Sequence, residues 1–578
     1  MKIQQPSPAP SASGTRLIVG LLVVILVAAG GLRLLRLDRV PPGAWIDEAI
    51  QGLQGASLIE HTPLPPTSHV GYQPMPEWIV PEVIAMRLGG HGLGTLRMPA
   101  ALVGVVAVAV AFLAGRALAG PAAGLGAAAF LMGSFWHVQY SRLALPCVFV
   151  VTEGLLVGWL LLGRRAPGLG AGCALAFLCL VAPYGYAASL ITPVGVALLL
   201  AIRWRGAPAD RPGRGFILVL AAGVVLLAAG MVWWKPQGLL RTAELAGEHR
   251  DPLVGQFFGW LKSVVWSTQL GDYYWRHYPP GAPRFTPVEL ALVVGGAVAL
   301  WRSASFARWQ KWGWTGWAVA CALPEWFGGE VPHLSRGLPQ LAPAAVAAGV
   351  GVGALARWLP PWGPAVALAA LTANAALTTD RLYGRFARDP IVATWYLKPN
   401  RDAAEAILAA AAKEPVALTG SVDYAKDPVL LYFLWPALRR GDVVMTENRP
   451  RYLYCIGVYR DPTSKQPAFV LFDAHKPWKG RRNLSLWFVN YLLSGPEGEL
   501  AAGNLQEALL EYQWIVTFIP DSVGARAGLG VTLVRLGRGR EAIPHLEYAL
   551  SCNQDPNAKK VIESALLLAR HGLPGVLR

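Results

Sequence analysis

Charged side chains are scarce in this chain of 578 residues, at 15% of the sequence. A soluble protein usually carries about a quarter. Hydrophobic residues make up 54%, the mean hydropathy is +0.39, and the apolar residues fall in uninterrupted runs of membrane-spanning length. These features exclude an ordinary soluble protein and predict a multi-pass membrane protein.

Acidic residues are also few, with 35 Asp and Glu against 51 Lys and Arg and a net charge of +16. A basic chain can bind nucleic acid, but this one has no zinc-finger spacing, aromatic RNA-binding signature or basic helix. Most of the excess lies in short loops between apolar runs, as the positive-inside rule predicts. We therefore expect no nucleic-acid partner.

Cysteine is rare as well: the six residues lack any CxxC spacing, and four lie in apolar runs, where they are expected to pack as small apolar side chains. The sequence contains neither HExxH nor another compact metal spacing. It also has no P-loop and no GxGxxG after a strand, so no nucleotide site is predicted. Gly349, Gly351 and Gly353 lie within an apolar run and predict close helix packing.

The apolar runs predict eleven transmembrane helices. Their ranges are 17–37, 97–116, 122–139, 145–163, 167–184, 187–203, 215–234, 286–302, 312–329, 338–356 and 361–379. With a cytoplasmic N-terminus, the predicted inner loops are rich in arginine and contain Asp210 as their single acid, as the positive-inside rule requires. Arg33, Arg36 and Arg39 do not fit the positive-inside rule, because they come at the predicted outer end of the first span.

This topology divides the chain into four parts. We predict a cytoplasmic tail (1–16), a transmembrane domain (17–379), a small periplasmic α/β module (380–486) and helical repeats (487–578). Two long outer loops, 38–96 and 235–285, interrupt the transmembrane domain. The first loop has helix-like segments at 47–60 and 77–90, joined by a proline-rich link.

The C-terminal region has a soluble composition. A helix is predicted over 401–413 and strands over 416–419, 452–458 and 469–472. Further on, Gly503, Ala508 and Tyr512 recur 34 residues later as Gly537, Ala542 and Leu546. That period resembles tetratricopeptide repeats. Such repeats bind a protein partner or simply pack, and the sequence leaves both readings open.

The most informative residues are two adjacent carboxylates, Asp47 and Glu48, after the Pro41-Pro42 turn and Trp45. Carboxylates at a membrane boundary are costly to leave undersolvated, so they face water or perform a task. One could act as the base that removes a proton from an acceptor hydroxyl in glycosyl transfer, with its neighbour as a partner. The simpler reading is a helix start, where acids complement the helix dipole.

Several ordered blocks resemble the membrane glycosyltransferases of the GT-C class, in particular bacterial relatives of the protein mannosyltransferases (family 39) and the aminoarabinose transferase of lipid A. The blocks are "WIDEAI" (45–50), "GYQPMPEW" (71–78), "LRMPAAL" (96–102), "YSRLAL" (140–145), "GDYYWRHYPPGAPRF" (271–285) and "PHLSRGLP" (332–339). They cover about residues 15–380. The implied fold is a polytopic α-helical membrane protein.

The resemblance implies transfer of a sugar from a polyprenyl-phosphate donor to a glycan, lipid or protein acceptor at the outer face of the bacterial cytoplasmic membrane. A site on that face has no access to cytosolic nucleotide sugars. A lipid-phosphate leaving group needs cationic donors near the membrane boundary. Arg142 fits best, and Arg276 with His277 and Arg336 are alternatives. An arginine there can also simply reach towards lipid headgroups.

Four further residues are candidates for binding the substrate: Glu77, Glu153, Asp272 and His333. Glu153 lies within the fourth predicted span, where a carboxylate either lines a cavity or has a buried partner. Asp272 either binds sugar hydroxyls or pairs with Arg276. The aminoarabinose branch has an acid before the loop proline where this chain has Tyr72-Gln73, which weakens the carry-over of a metal site. Because Glu77 and His69 are nearby, a divalent metal ion stays open as a cofactor.

Two other functions compete with sugar transfer. A transporter or flippase of lipid-linked sugars would line a path with acids and arginines, but it often shows repeated spans and broken helices. No convincing repeat is present among the spans. A membrane-anchored scaffold would act through its C-terminal repeats, yet eleven spans with ordered polar blocks exceed what anchoring needs.

Overall fold

The computed structural model describes residues 12–61, 76–233, 253–265, 283–327, 333–359, 362–420, 427–446, 453–474, 476–552 and 555–571. The chain divides into two compact units. The first consists of Met1–Pro42, Gln54–Pro63 and Gly71–Val392, and the second of Gly43–Leu53, Leu64–Val70 and Ala393–Arg578.

Helices dominate the chain as far as Thr379. They are α1 (Ala12–Leu34), α2 (Ile46–Glu60), α3 (Pro76–Gly89), α4 (Leu93–Ala119), α5 (Pro121–Gly133), α6 (Phe135–Tyr140), α7 (Phe149–Leu162), α8 (Leu169–Val181), α9 (Ile191–Trp204), α10 (Arg214–Trp233), α11 (Leu253–Val265), α12 (Pro287–Arg302), α13 (Arg308–Trp326), α14 (Leu334–Gly337), α15 (Leu341–Trp358) and α16 (Gly363–Thr379). Short 3₁₀ segments precede α7 and α9, and a π-helix (Asp380–Arg385) follows α16.

Four helical segments in the described part of the chain are long and apolar enough to cross a membrane. They are Gly14–Leu34, Leu93–Ala119, Ala187–Trp204 and Leu334–Trp358. The chain is therefore a helical membrane protein. A helix occupies each of the eleven predicted ranges, but several are shorter than a full span, so the count of eleven stays a prediction.

The third predicted span, 122–139, is not one continuous helix. It breaks at Ser134, whose backbone is extended (ψ 115°), between α5 and α6. The break frees the carbonyl of Gly133, which accepts hydrogen bonds from Asn374 Nδ2 (3.1 Å) and from the Thr378 hydroxyl. Because a membrane interior offers no water, such internal partners are what make a broken helix tolerable there.

Helices α5 and α15 lie in the interior of the first unit, with most of their residues buried. Glycines let neighbouring backbones approach closely. A Cβ at Gly349 would overlap the carbonyl of Ala123 on α5, and one at Gly351 would lie 2.5 Å from the carbonyl of Leu292 on α12. This is the close packing that small residues give between membrane helices.

The second unit contains a mixed five-stranded sheet. After α17 (Pro390–Trp395), its elements are α18 (Lys398–Ala411), β1 (Val416–Gly420), α19 (Pro428–Arg440), β2 (Val443–Thr446), β3 (Leu453–Arg460), β4 (Pro467–Ala474) and β5 (Arg482–Phe488). The strand order is β2-β1-β5-β4-β3; β1 is parallel to β2 and β5, and β4 is antiparallel to β3 and β5.

Strand β4 is buried on both faces. Phe469 and Leu471 pack with α18 and α19, whereas Val470 and Phe472 pack with the C-terminal helices. This follows from the two-residue period of a strand. The C-terminal helices are α20 (Val489–Ala502), α21 (Leu505–Phe518), α22 (Val523–Arg535), α23 (Gly539–Cys552) and α24 (Pro556–His571). Their assignment as tetratricopeptide repeats, like the domain boundaries, stays a prediction.

Candidate functional site

The acidic pair lies in the first turn of α2. The carboxylate of Glu48 accepts a hydrogen bond from the backbone N–H of Trp45 at 3.0 Å, and the carboxylate of Asp47 accepts one from the indole Nε1–H of the same residue at 3.0 Å. Glu48 is completely buried, whereas Asp47 is half-buried. Glu48 thus closes the start of the helix, and Asp47 is the more accessible carboxylate.

The segment before the pair packs against Trp395 and Tyr396, within the second unit. The backbone of Gly43 lies so close to the carbonyl of Tyr396 that a Cβ at Gly43 would overlap it. The rings of Trp45 and Trp395 are 6.3 Å apart. Glycine is required at position 43 for this close approach, and the approach fixes where α2 begins.

Arg142 lies in the connection between α6 and α7, and it is completely buried. Its guanidinium donates six hydrogen bonds to backbone carbonyls at the end of α1 and in the loop after it. The acceptors are the carbonyls of Leu32, Arg33, Leu35, Arg36 and Val40. Nη1 also lies 3.4 Å from the Tyr383 hydroxyl. Burial lowers the pKa of Arg142 to about 10, so it remains charged at neutral pH.

Arg97 binds the same loop, because its Nη1 donates hydrogen bonds to the carbonyls of Leu37 (3.2 Å) and Pro41 (3.1 Å). We call Arg97, Arg142 and these carbonyls the arginine clamp. Every N–H of Arg142 has an acceptor inside the protein. Its geometry therefore holds the loop that leads into the acidic pair.

A second buried group surrounds Glu325 at the end of α13. Arg284 donates to both carboxylate oxygens, from Nη1 at 2.7 Å and from Nη2 at 2.5 Å. Gln340 Nε2 and the backbone N–H of His333 donate at 2.6 and 2.9 Å. Both charged side chains are completely buried. We call these four residues the Glu325 cluster.

Aromatic rings enclose this cluster. The guanidinium of Arg284 lies over the ring of Trp136, at 4.7 Å from its centre. Trp260 on α11 donates its indole N–H to Gln340 Oε1 at 2.9 Å and packs edge-on against Trp326. A bidentate arginine–carboxylate pair in such apolar surroundings is strongly held, because neither charge can be left alone without a large cost.

Two sequence-predicted residues, His333 and Arg336, lie beside the Glu325 cluster. The His333 ring Nδ1 is 3.0 Å from the Ser335 hydroxyl, which accepts from the Tyr186 hydroxyl at 3.0 Å. Arg336 is half-buried, and its Nη1 is buried without a hydrogen-bond partner in the described part of the chain. In this it differs from Arg142, whose donors meet backbone carbonyls.

Glu153 on α7 has internal partners. Its carboxylate accepts hydrogen bonds from the hydroxyls of Thr192 (2.7 Å) and Ser189 (3.2 Å), and it is buried. These bonds fix the start of α9, close in sequence to Tyr186. Of the two readings left open by the sequence, this geometry is that of a carboxylate buried with partners.

Three predicted site residues, Asp272, Arg276 and His277, lie outside the described residues, as does the side chain of Glu77. Among the described residues, no three His, Cys, Asp or Glu side chains form a group suited to a metal ion. The question of a divalent metal thus stays open.

The sequence reasoning missed Glu325, Arg284 and Gln340. Glu325 is a lone acid inside the predicted span 312–329, and an intramembrane carboxylate is by itself a signal of a buried partner or a function. Arg284 stands in one of the quoted blocks, but its partner cannot be identified from spacing because 41 residues separate the two.

No family model matches the chain, and no curated protein matches it. Among solved structures, it is similar to ArnT from Cupriavidus metallidurans bound to undecaprenyl phosphate, with a TM-score of 0.43 and 15% identity over 76% of this chain and 87% of that chain. The apo state of that protein gives 0.44 and 14% over the same shares.

The chain is also similar to the apo oligosaccharyltransferase of Archaeoglobus fulgidus, with a TM-score of 0.39 and 14% identity over 73% of this chain and 64% of that chain. The assignment to the GT-C class rests on the sequence blocks and stays a prediction.

Proposed function

We propose that this protein is an integral membrane glycosyltransferase. It moves a sugar from a polyprenyl-phosphate donor to an acceptor hydroxyl at the outer face of the bacterial cytoplasmic membrane. The acceptor is a glycan, a lipid or a protein. The observation that carries the proposal is the unequal pair of carboxylates at the start of α2, one buried as a helix cap and the other half-buried.

Asp47 is the base in this proposal. Inverting sugar transfer needs a carboxylate that takes the acceptor's proton while the leaving group departs from the opposite face. Glu48 is buried against the backbone of Trp45, so its role is to hold the helix start. The indole N–H of Trp45 donates to Asp47 and orients the carboxylate for the reaction.

Arg336 is assigned to the donor phosphate. Departure of a lipid phosphate leaves negative charge on oxygen, and an arginine N–H stabilises that charge best in a water-poor site. The buried Nη1 of Arg336 offers such a donor, whereas the donors of Arg142 are already occupied by carbonyls. Arg276 and His277 stay as further candidates for the phosphate, with Glu77, Asp272 and His333 for the sugar; Arg142 and Glu153 position the fold.

The test is transfer by the purified full-length protein in vesicles, supplied with a panel of polyprenyl-phosphate sugars. Release of the lipid phosphate is scored with and without chelator. We expect Asp47→Asn to lower transfer by about 100-fold or more, the usual contribution of a general base. Glu48→Gln keeps the shape of the cap and is the matched control, with a smaller loss.

Thermal unfolding of both variants verifies that they remain folded. Near-normal transfer by a folded Asp47→Asn variant would remove Asp47 from the mechanism. Movement of the intact lipid-linked sugar across the vesicle, without release of lipid phosphate, would instead support the transporter alternative. If removal of residues 487–578 abolished all activity in a well-folded protein, the scaffold reading would gain support.

A further inference from the structure

Helix α11 (Leu253–Val265) lies in the second long loop that the sequence predicts to be outer, and one of its faces is apolar and exposed. The exposed side chains are Val254, Phe257, Phe258, Leu261 and Val265. At 100° per residue these five positions fall within about a quarter of the helix circumference. Exposing an apolar face of this size to water costs free energy, so such a face is usually covered.

The opposite face of α11 is held by the protein. Gln256 and Ser263 are buried, and the carbonyl of Ser263 accepts the backbone N–H of Arg284 at 2.7 Å. Trp260 donates to Gln340 of the Glu325 cluster. The helix is thus pinned in one orientation, with its apolar face turned away from the unit that holds it.

The attachment point of α11 lies at the end of a helix that occupies a predicted span. Phe257 and Trp260 pack against Trp326, the last residue of α13, with ring centres 6.4 and 5.9 Å apart. Trp326 ends a helix that occupies a predicted span, on the side predicted to be outer. Lys262 lies exposed at the edge of the apolar arc, where a cation meets lipid phosphate in interfacial helices.

We propose that α11 is an interfacial helix whose face of Val254, Phe257, Phe258, Leu261 and Val265 binds the hydrocarbon of the outer leaflet. Continuity with the end of α13 and the wholly apolar composition of the arc identify the occupant as lipid. The helix then forms a wall with lipid on one face and the Glu325 cluster on the other. The proposal does not depend on sugar transfer.

A fluorescent probe tests it directly in the full-length protein. The six native cysteines are replaced, a single cysteine is introduced by Phe258→Cys, and it is labelled with nitrobenzoxadiazole. The protein is reconstituted in vesicles of phosphatidylethanolamine and phosphatidylglycerol. The matched control is Leu510→Cys on α21, a side chain of similar exposure (65% against 61%) in the second unit.

If the proposal is right, emission from position 258 is shifted to the blue relative to position 510, and lipids with a nitroxide near the headgroup quench it. Water-like emission that aqueous iodide quenches at both positions would overturn the proposal. A blue shift without quenching by nitroxide lipids would overturn it in favour of contact with a second protein copy. Should the Phe258→Cys protein fail to fold, Val254→Cys samples the same face.

Discussion

In the first unit, the buried positive charges of Arg142 and Arg284 are stabilised by different kinds of acceptor. In the arginine clamp, Arg142 donates to neutral carbonyls at the C-terminal end of α1. That end carries the negative pole of the helix dipole, which stabilises a cation without any carboxylate. In the Glu325 cluster, Arg284 meets a full negative charge at 2.7 and 2.5 Å.

The buried arginines also differ in whether their N–H donors have acceptors within the protein. The donors of Arg142 meet backbone carbonyls, and Arg284 holds Glu325 with both of its terminal nitrogens, so each of these arginines stabilises the fold. Arg336, beside the Glu325 cluster, has a buried Nη1 without an acceptor in the described part of the chain. A buried cationic donor of this kind costs free energy unless something binds it. The proposed role of Arg336 in binding the donor phosphate rests on this donor.

The largest effect is expected from Arg142→Ala. The substitution removes hydrogen bonds to five carbonyls. Those of Leu35 and Arg36 keep other donors, and each of the other three that is left without a partner costs roughly 1–3 kcal/mol. We expect little folded protein after detergent extraction, as measured by size-exclusion chromatography and thermal unfolding. Arg142→Lys keeps the charge but offers three donors in place of five, and should give an intermediate result. A normal unfolding temperature for Arg142→Ala would contradict the structural role of the clamp.

A smaller effect is expected from Glu325→Leu, which leaves Arg284 buried without its counter-charge. Breaking a buried ion pair costs about 3–5 kcal/mol, whereas replacing both partners by apolar residues is often close to neutral. The double variant Arg284→Met with Glu325→Leu should therefore unfold at a higher temperature than Glu325→Leu alone. Purely additive losses in this double-mutant cycle would show that the two charges are not coupled.

The smallest effect on stability is expected from Arg336→Gln, within about 0.5 kcal/mol, since no internal hydrogen bond of Nη1 is lost. Binding of polyprenyl phosphate should nevertheless weaken by roughly 10-fold or more, as expected for loss of a hydrogen bond to a charged group. Arg381→Gln is the matched control, because Arg381 also has a buried Nη1 without an acceptor among the described residues. Equal weakening in both variants would deny Arg336 a specific role.

Much of the helical architecture could be predicted from the sequence because membrane helices are encoded by long apolar runs. The helices at 47–60 and 77–90 and the strands at 416–419 and 469–472 were likewise expected, and the structure has α2, α3, β1 and β4 there. The break at Ser134 was not foreseen, since it is stabilised by Asn374 and Thr378 from the other end of the unit. No local pattern carries that information.

The discordant charge of Arg33 shows a similar limit. Its guanidinium is completely buried and bonds to the carbonyls of Ala29 and Leu131 and to His137 Nδ1, at 3.1, 3.1 and 2.7 Å. Counting it as a loop charge misjudges its environment, because hydropathy does not show which arginine points inwards. The same limit hid the saturation of Arg142: sequence identifies an arginine near the boundary, but only coordinates show what its donors meet.

The contact of Gly43 and Trp45 with Tyr396 and Trp395 has a consequence for biosynthesis. It joins a segment made early to one that leaves the ribosome only after every predicted span has been translated. The nascent chain therefore inserts its acidic pair long before the surroundings of that pair exist. A product terminated after the last predicted span would lack Trp395 and Tyr396, so the acidic pair can reach its final arrangement only after translation has passed residue 396.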